Sequence, residues 1–169
     1  PKRFGRFGLT VHPTKTKLVP FRPPPSSAKD DNEPDDRPGT FDLLGFTHYW
    51  AVSLKGTWVV KVKTAADRFT RAVRSIDKWC HDHRHLPLAE QQQKLNQKLR
   101  GHYAYYGLTG NSGSLSRFQQ EVENRWRKWL NRRNNIRSMH WGKFCALIRR
   151  YPLAPVRTMR SRLRHAAKP

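Results

Sequence analysis

Six consecutive residues, Cys80-His81-Asp82-His83-Arg84-His85, form the densest run of metal-ligating side chains in the chain. Thiolate, imidazole and carboxylate are the donors a transition metal takes, and a structural zinc site wants four in tetrahedral array. The spacing argues against a site: the ligands alternate at the end of a helix, and no second ligand pair stands at a zinc-finger distance. Histidine at a helix C-terminus also interacts well with the helix dipole, with no metal needed. Two carboxylate pairs, Asp30-Asp31 and Asp35-Asp36, are of the type that holds Mg²⁺ for phosphoryl or nucleotidyl transfer. Both fall in a proline-rich stretch, and a loose loop fixes a metal poorly, so solvation is the better reading. No glycine-rich phosphate loop occurs, and no Ser/His/Asp set is supported by its spacing. The two cysteines, Cys80 and Cys145, exclude a disulfide scaffold and a four-cysteine zinc site, and they suit a reducing cytosol.

What the chain has in excess is positive charge. Its 169 residues carry 34 Lys+Arg against 12 Asp+Glu, a formal net charge of +22. Residues 1–63 hold 11 basic and 6 acidic residues, and residues 64–169 hold 23 and 6, so the second part is the expected polyanion-binding part. Arg68, Arg71, Arg74 and Lys78 make one basic stripe, and Arg125, Lys128, Arg132 and Arg133 a second. Arg157, Arg160, Arg162, Arg164 and Lys168 follow in the tail. A single charge run is usually a solvated face. Three runs with little compensating acid repel one another unless a polyanion neutralises them, which points to nucleic acid. Aromatic residues among the cations favour RNA over duplex DNA, because rings and Arg planes stack on unpaired bases. Phe69, Trp79, Phe118 and Trp129 read as core; Tyr103 and Tyr105 are harder to place inward and are candidates for RNA contact.

The elements that must position these groups change type along the chain. Lys17–Phe21 is a short strand candidate with Pro20 at its edge. Residues 22–39, rich in proline and holding five acidic residues, read as an exposed connection. Two apolar runs, Phe41–Val52 and Trp58–Val62, joined by Ser53-Leu54-Lys55-Gly56, predict a hairpin. From Thr64 the period becomes helical. Phe69, Ala72, Val73, Ile76 and Trp79 form one stripe, with Asp67 near the helix start. Pro87 opens a second helix with Leu88, Leu95, Leu99, His102 and Tyr106 on one face and Gly107 as its cap. A third follows Ser112 or Ser114, with Leu115, Phe118, Val122 and Trp129 inward. A fourth follows Ser138, buries Trp141, Phe144, Cys145 and Ile148, and ends before Pro152. The fold class expected is α+β: a small β-hairpin remnant, residues 1–63, then a mainly helical bundle over 64–155 and a basic tail over 156–169. No apolar run approaches the ~20 residues of a membrane span, and no signal-peptide core is present. The start at Pro1 suggests a piece of something longer.

Several segments together resemble a known family. Gly8-Leu9-Thr10-Val11-His12-Pro13-Thr14-Lys15-Thr16-Lys17 looks like the late palm segment of bacterial reverse transcriptases, and Phe41–His48 like the Leu-Gly-Phe block that follows it. Leu99–Gly107 is similar to the Gly-x-x-x-Tyr-Tyr signature of the group II intron maturase-specific domain. Trp126–Arg133 resembles its Trp-x-x-x-Leu-x-x-Arg stretch, and Trp141-x-x-Phe144 with Tyr151–Arg157 its closing segment. The order and spacing of these blocks suggest the C-terminal part of a bacterial group II intron reverse transcriptase/maturase. The resemblance implies that the helical part is the thumb, or maturase domain. Such a domain grips a primer–template duplex and binds structured intron RNA to promote splicing, while the ribozyme does the chemistry. It also implies a Tyr-x-Asp-Asp metal box in the palm, which neither Asp pair here supplies. No catalytic residue and no cofactor are therefore expected in this chain, Mg²⁺ belonging to the absent polymerase site or to the RNA. The partners implied are intron RNA, a primer–template duplex, and the missing fingers and palm half or a second copy, in a bacterial cytoplasm. The alternative is the C-terminal portion of an active RNA-directed DNA polymerase. The RNA-contact residues expected are Lys15, Arg68, Arg71, Arg74, Lys78, Arg100, His102, Tyr103, Tyr105, Arg125, Lys128, Arg132, Arg133 and Arg157. Gly101, inside a helix at a cost of about 1 kcal/mol against Ala, predicts close approach of a second helix or an RNA backbone.

Overall fold

A computed structural model describes residues 2–10, 12, 19–23, 39–133 and 139–158. Both Asp pairs, Lys15 and the basic residues beyond position 158 lie outside these. The chain divides into two compact units, Pro1–Phe41 with Tyr49–Val60, and Asp42–His48 with Lys61–Pro169, a division that runs through all three of its strands.

The short helix α1 (Lys2–Gly5) is followed by strands β1 (Phe41–Leu43), β2 (Phe46–Val52) and β3 (Trp58–Thr64) in an antiparallel sheet of order β1-β2-β3. The first apolar run is thus two strands rather than one. Leu44 (φ 51°) and Gly45 (φ 80°) both turn left-handed between them, the backbone of a two-residue hairpin whose twist matches that of the strands. A leucine is costly there, and the break was missed because Leu44 reads as one more strand residue. The second turn is the one expected: Ser53 N–H donates to Thr57 O (2.8 Å), and Gly56 sits at φ 76°. In the first unit, Phe21 stacks on Trp50 (5.3 Å between centroids) and meets Phe41 edge-on (4.8 Å). Val19–Phe21 carries no strand ladder; Pro20 has no N–H to give one.

Four helices follow: α2 (Ala66–Asp82), α3 (Leu88–Tyr106), α4 (Ser112–Asn131) and α5 (Trp141–Arg150). Their buried stripes meet in one core of Ile76, Cys80, Leu95, Leu99, Tyr103, Leu115, Phe118, Val122, Trp126, Leu130, Phe144, Leu153 and Ala154. Two expectations are corrected here. Trp126, fully buried, is the inward tryptophan of α4, with Trp129 only packed against the core. Trp141, expected inside, is 51% exposed at the first turn of α5.

Three buried amides, absent from any hydrophobic pattern, hold the helices in register. Asn111, not a serine, precedes α4. Its Oδ1 accepts from Thr64 N–H (2.9 Å), while Nδ2 donates to Thr64 Oγ1 (2.9 Å) and Tyr106 O (2.8 Å). Gln91 donates to Arg84 O (3.2 Å) and Leu86 O (2.7 Å) and accepts from Trp126 Nε1 (2.9 Å). Asn96 grips the segment after α5, donating to Pro152 O (3.1 Å) and accepting from Ala154 N–H (2.6 Å). That segment continues along α3 until Arg157 O reaches Gly107. Gly107 caps α3 in a right-handed conformation (φ −73°), so what requires glycine there is space. A Cβ would collide with Tyr103 O and lie 3.0 Å from Arg157 O.

Candidate nucleic-acid interface

The outer face of α2 is the clearest basic surface. Arg68, Arg71, Arg74 and Lys78 recur at three- and four-residue spacing, which lays them in one row, and all four are exposed. Two are lightly paired: Arg68 with Asp67 at 3.5 Å, and Lys78 with Asp82 at 2.9 Å. Arg71 and Arg74 have no carboxylate partner among the described residues and, with Ala66, Asp67 and Thr70, line an open concavity. Arg100 is exposed on α3, as are Arg132, Arg133 and Arg157. Arg132 lies over the Trp129 ring (4.9 Å), and Arg133 reaches Leu86 O (3.4 Å).

The second stripe is not the free surface its sequence suggested. Asp77 of α2 accepts from Lys128 Nζ (3.0 and 3.3 Å) and Trp129 Nε1 (2.9 Å), and Arg125 stands 4.0 Å away. Arg125 also bonds Glu121 (3.1 Å). Partial burial pushes the Asp77 carboxyl up, but the hydrogen bonds from Lys128 and Trp129 and the charges of Lys128 and Arg125 outweigh it. The group is held below the usual carboxylate value. Arg125 and Lys128 are therefore committed to binding α4 to α2.

His102 and Tyr103 are corrected as well. The His102 ring stacks on Phe118 (3.8 Å between centroids) and lies 4.6 Å from Tyr106; burial pulls its pKa down to about 4, so it is neutral and offers a phosphate no charge. Tyr103 is 5% exposed, and burial, with Glu123 nearby, pushes its phenol up to about 12. Its ring belongs to the core. Tyr105 does face solvent, at 56% exposure; its hydroxyl donates to Leu44 O (2.9 Å), and one face lies parallel to Phe46 (6.0 Å, 13°). A fixed ring with an open face is what base stacking needs. Among the described residues nothing lies within 4 Å of where a Cβ would stand at Gly101, so no described helix approaches it closely, contrary to expectation.

The Cys80–His85 run is occupied with packing. Cys80 is buried, its thiol pushed up to about 12 by burial and by Asp77. His81 contacts Asp82 (2.8 Å) and meets Trp129 edge-on (4.5 Å). His83 donates to Trp79 O (2.9 Å) and stacks on that indole (4.8 Å). Among the described residues no group of three or more His, Cys, Asp or Glu side chains is arranged to hold a metal ion. None of the described helices is long and apolar enough to cross a membrane.

A small antiparallel sheet followed by four helices, with a cationic outer face on α2, defines an α+β protein. Residues 67–144 match the family model described as the group II intron, maturase-specific domain, a match consistent with the C-terminal maturase part of a group II intron reverse transcriptase. No curated protein and no solved structure matches the chain.

Proposed function

We propose that this chain binds structured group II intron RNA through the outer face of α2, with Arg100, Arg132 and Arg133 extending the contact, and so assists intron folding and splicing. The observation that carries the reading is the Arg68–Arg71–Arg74–Lys78 row inside the matched domain. It is exposed, and its two central arginines have no carboxylate partner among the described residues. Such a row lowers its own repulsion by displacing counterions from phosphates. The test is fluorescence anisotropy with a group II intron RNA over a salt series. Replacing Arg71 and Arg74 with Ala should weaken binding and reduce the log–log salt slope by about 0.7–0.9 per lost contact. An unchanged slope would place the RNA elsewhere. Splicing assistance is read as a faster excision rate at low Mg²⁺, where the RNA folds poorly unaided.

A second reading, the C-terminal portion of an RNA-directed DNA polymerase, is favoured by the sheet over residues 41–64, which a pure RNA-binding module does not need. It is tested by primer extension after adding the fingers and palm half.

A further inference from the structure

Helix α5 carries a second basic surface that the α2 reading does not use. Lys143, Arg149 and Arg150 are exposed, the helix WGKFCALIRR contains no acid, and none of the three has a carboxylate partner among the described residues. Lys143 stands in the first turn but about 160° round the helix from Trp141, so its charge belongs to a different side of α5. At the same end Trp141 is half exposed, and the Arg127 guanidinium of α4 lies 4.8 Å from its ring centroid. An indole backed by a guanidinium is a stiff platform with its open part facing water, and bases stack on such platforms whatever their identity. Arg149 follows roughly 12 Å along the helix axis and about 80° round from Trp141, within reach of a short strand leaving that platform, whereas Arg150 lies about 180° round, on the other side.

This surface is distinct from the first. Helix α2 is held by Arg125, Lys128 and Trp129 of α4, and α5 by Trp126 and Arg127. At 3.6 residues per turn, Arg127 leaves α4 roughly 160° round from Arg125 and Trp129, so α2 and α5 lie on different flanks. We infer that α5 forms a second RNA site, one for an unpaired segment, in which a base stacks on the Trp141–Arg127 platform and an adjoining phosphate meets Arg149. The domain then holds two RNA segments at once, a structured one on α2 and a single-stranded one on α5. The inference rests on the chain being an RNA-binding protein, though not on the α2 face being its main site.

The experiment uses the full chain, a short unstructured RNA carrying 2-aminopurine, and a hairpin RNA duplex. The expected result is quenching of 2-aminopurine on binding. Trp141→Ala should abolish the quenching and weaken the unstructured RNA roughly tenfold, with Trp141→Phe retaining most of both. Circular dichroism should show both variants folded, since the side chain is half exposed. Saturating hairpin RNA should leave the quenched oligonucleotide in place, and Arg71→Ala with Arg74→Ala should weaken it by no more than about twofold. Full displacement by the hairpin would overturn the inference, as would unchanged affinity in Trp141→Ala and in Arg149→Ala. Loss of oligonucleotide binding on α5 substitution, with hairpin affinity indifferent to α2 substitution, would sink the α2 reading and leave this one standing.

Discussion

Thr64 and Asn111, 47 positions apart, exchange two hydrogen bonds: the Thr64 amide donates to Asn111 Oδ1 and Asn111 Nδ2 donates to the Thr64 hydroxyl, both at 2.9 Å. The same amide holds Tyr106 O, so one side chain joins the last residue of β3, the end of α3 and the start of α4. Asn111→Ala takes the Asn111 partner from the buried Thr64 amide and hydroxyl, while Tyr106 O keeps the Leu108 N–H (2.8 Å). The expected loss is about 2–4 kcal/mol in urea unfolding. A loss below 0.5 kcal/mol, roughly that of an ordinary surface substitution, would show the seam to be unimportant.

Gly101 and Gly107, one turn and a half apart on the same helix, should respond oppositely to the same methyl group. Nothing lies within 4 Å of a Cβ at Gly101, so Gly101→Ala should raise stability by about 0.5–1 kcal/mol through helix propensity alone. At Gly107 the methyl meets two backbone carbonyls, and Gly107→Ala should cost about 1–3 kcal/mol. Thermal melts of the two variants check both signs.

The two basic stripes should separate stability from binding. Lys128→Ala removes a partner of half-buried Asp77 and should cost about 0.5–1.5 kcal/mol of stability, the lower end reflecting solvent screening. Arg71→Ala and Arg74→Ala should change stability by less than about 0.5 kcal/mol while weakening intron RNA. The pairing of losses is read by measuring unfolding and anisotropy on the same preparations.

Stability should begin to fall as the pH drops through the ordinary imidazole range. The His102 pKa is lowered in the folded chain to about 4, from 6.5. The unfolded chain therefore binds the extra proton first, and stability present above pH 6.5 is lost as the pH drops towards 4. Asp77 adds a later loss: its depressed carboxyl contributes above its unfolded value and ceases to do so as pH falls through the folded one. His102→Phe should flatten the urea midpoint between pH 7 and 5. An unaltered slope there would mean the ring is hydrated.

Of the two thiols, Cys145 should react and Cys80 should not. Cys80 is 1% exposed with its thiol pushed up to about 12, whereas Cys145 is partly accessible. Mass spectrometry after brief maleimide treatment of the native chain should find one label, on Cys145; equal labelling would mean that α2 opens readily.

The helices and most of their inward residues were legible because periodicity reports burial directly: Ile76, Leu95, Leu99, Leu115, Phe118 and Phe144 all lie in the core. What escaped was whatever depends on partners distant in sequence. Gln91, Asn96 and Asn111 look like surface residues until Trp126, Ala154 and Thr64, 35 to 58 positions away, are in place. The stripe of Arg125 and Lys128 looked like that of Arg71 and Arg74, and only the position of Asp77 on a neighbouring helix distinguishes them. Trp126 and Trp129 are three apart and share a helix, so a small error in the inward direction exchanged them.

The segment gripped by Asn96 has a consequence for what counts as one domain. The family match ends at residue 144, inside α5, yet Leu153 and Ala154 are buried in the core, and Pro152 O and Ala154 N–H are bonded to α3. Thr64, before the match begins, anchors Asn111. The stretch that recurs by descent is therefore shorter than the stretch that shares one core and its hydrogen bonds. A fragment cut to the boundaries of its kinship would lose the strap over its own core and behave as a partly unfolded protein, whatever its affinity for RNA.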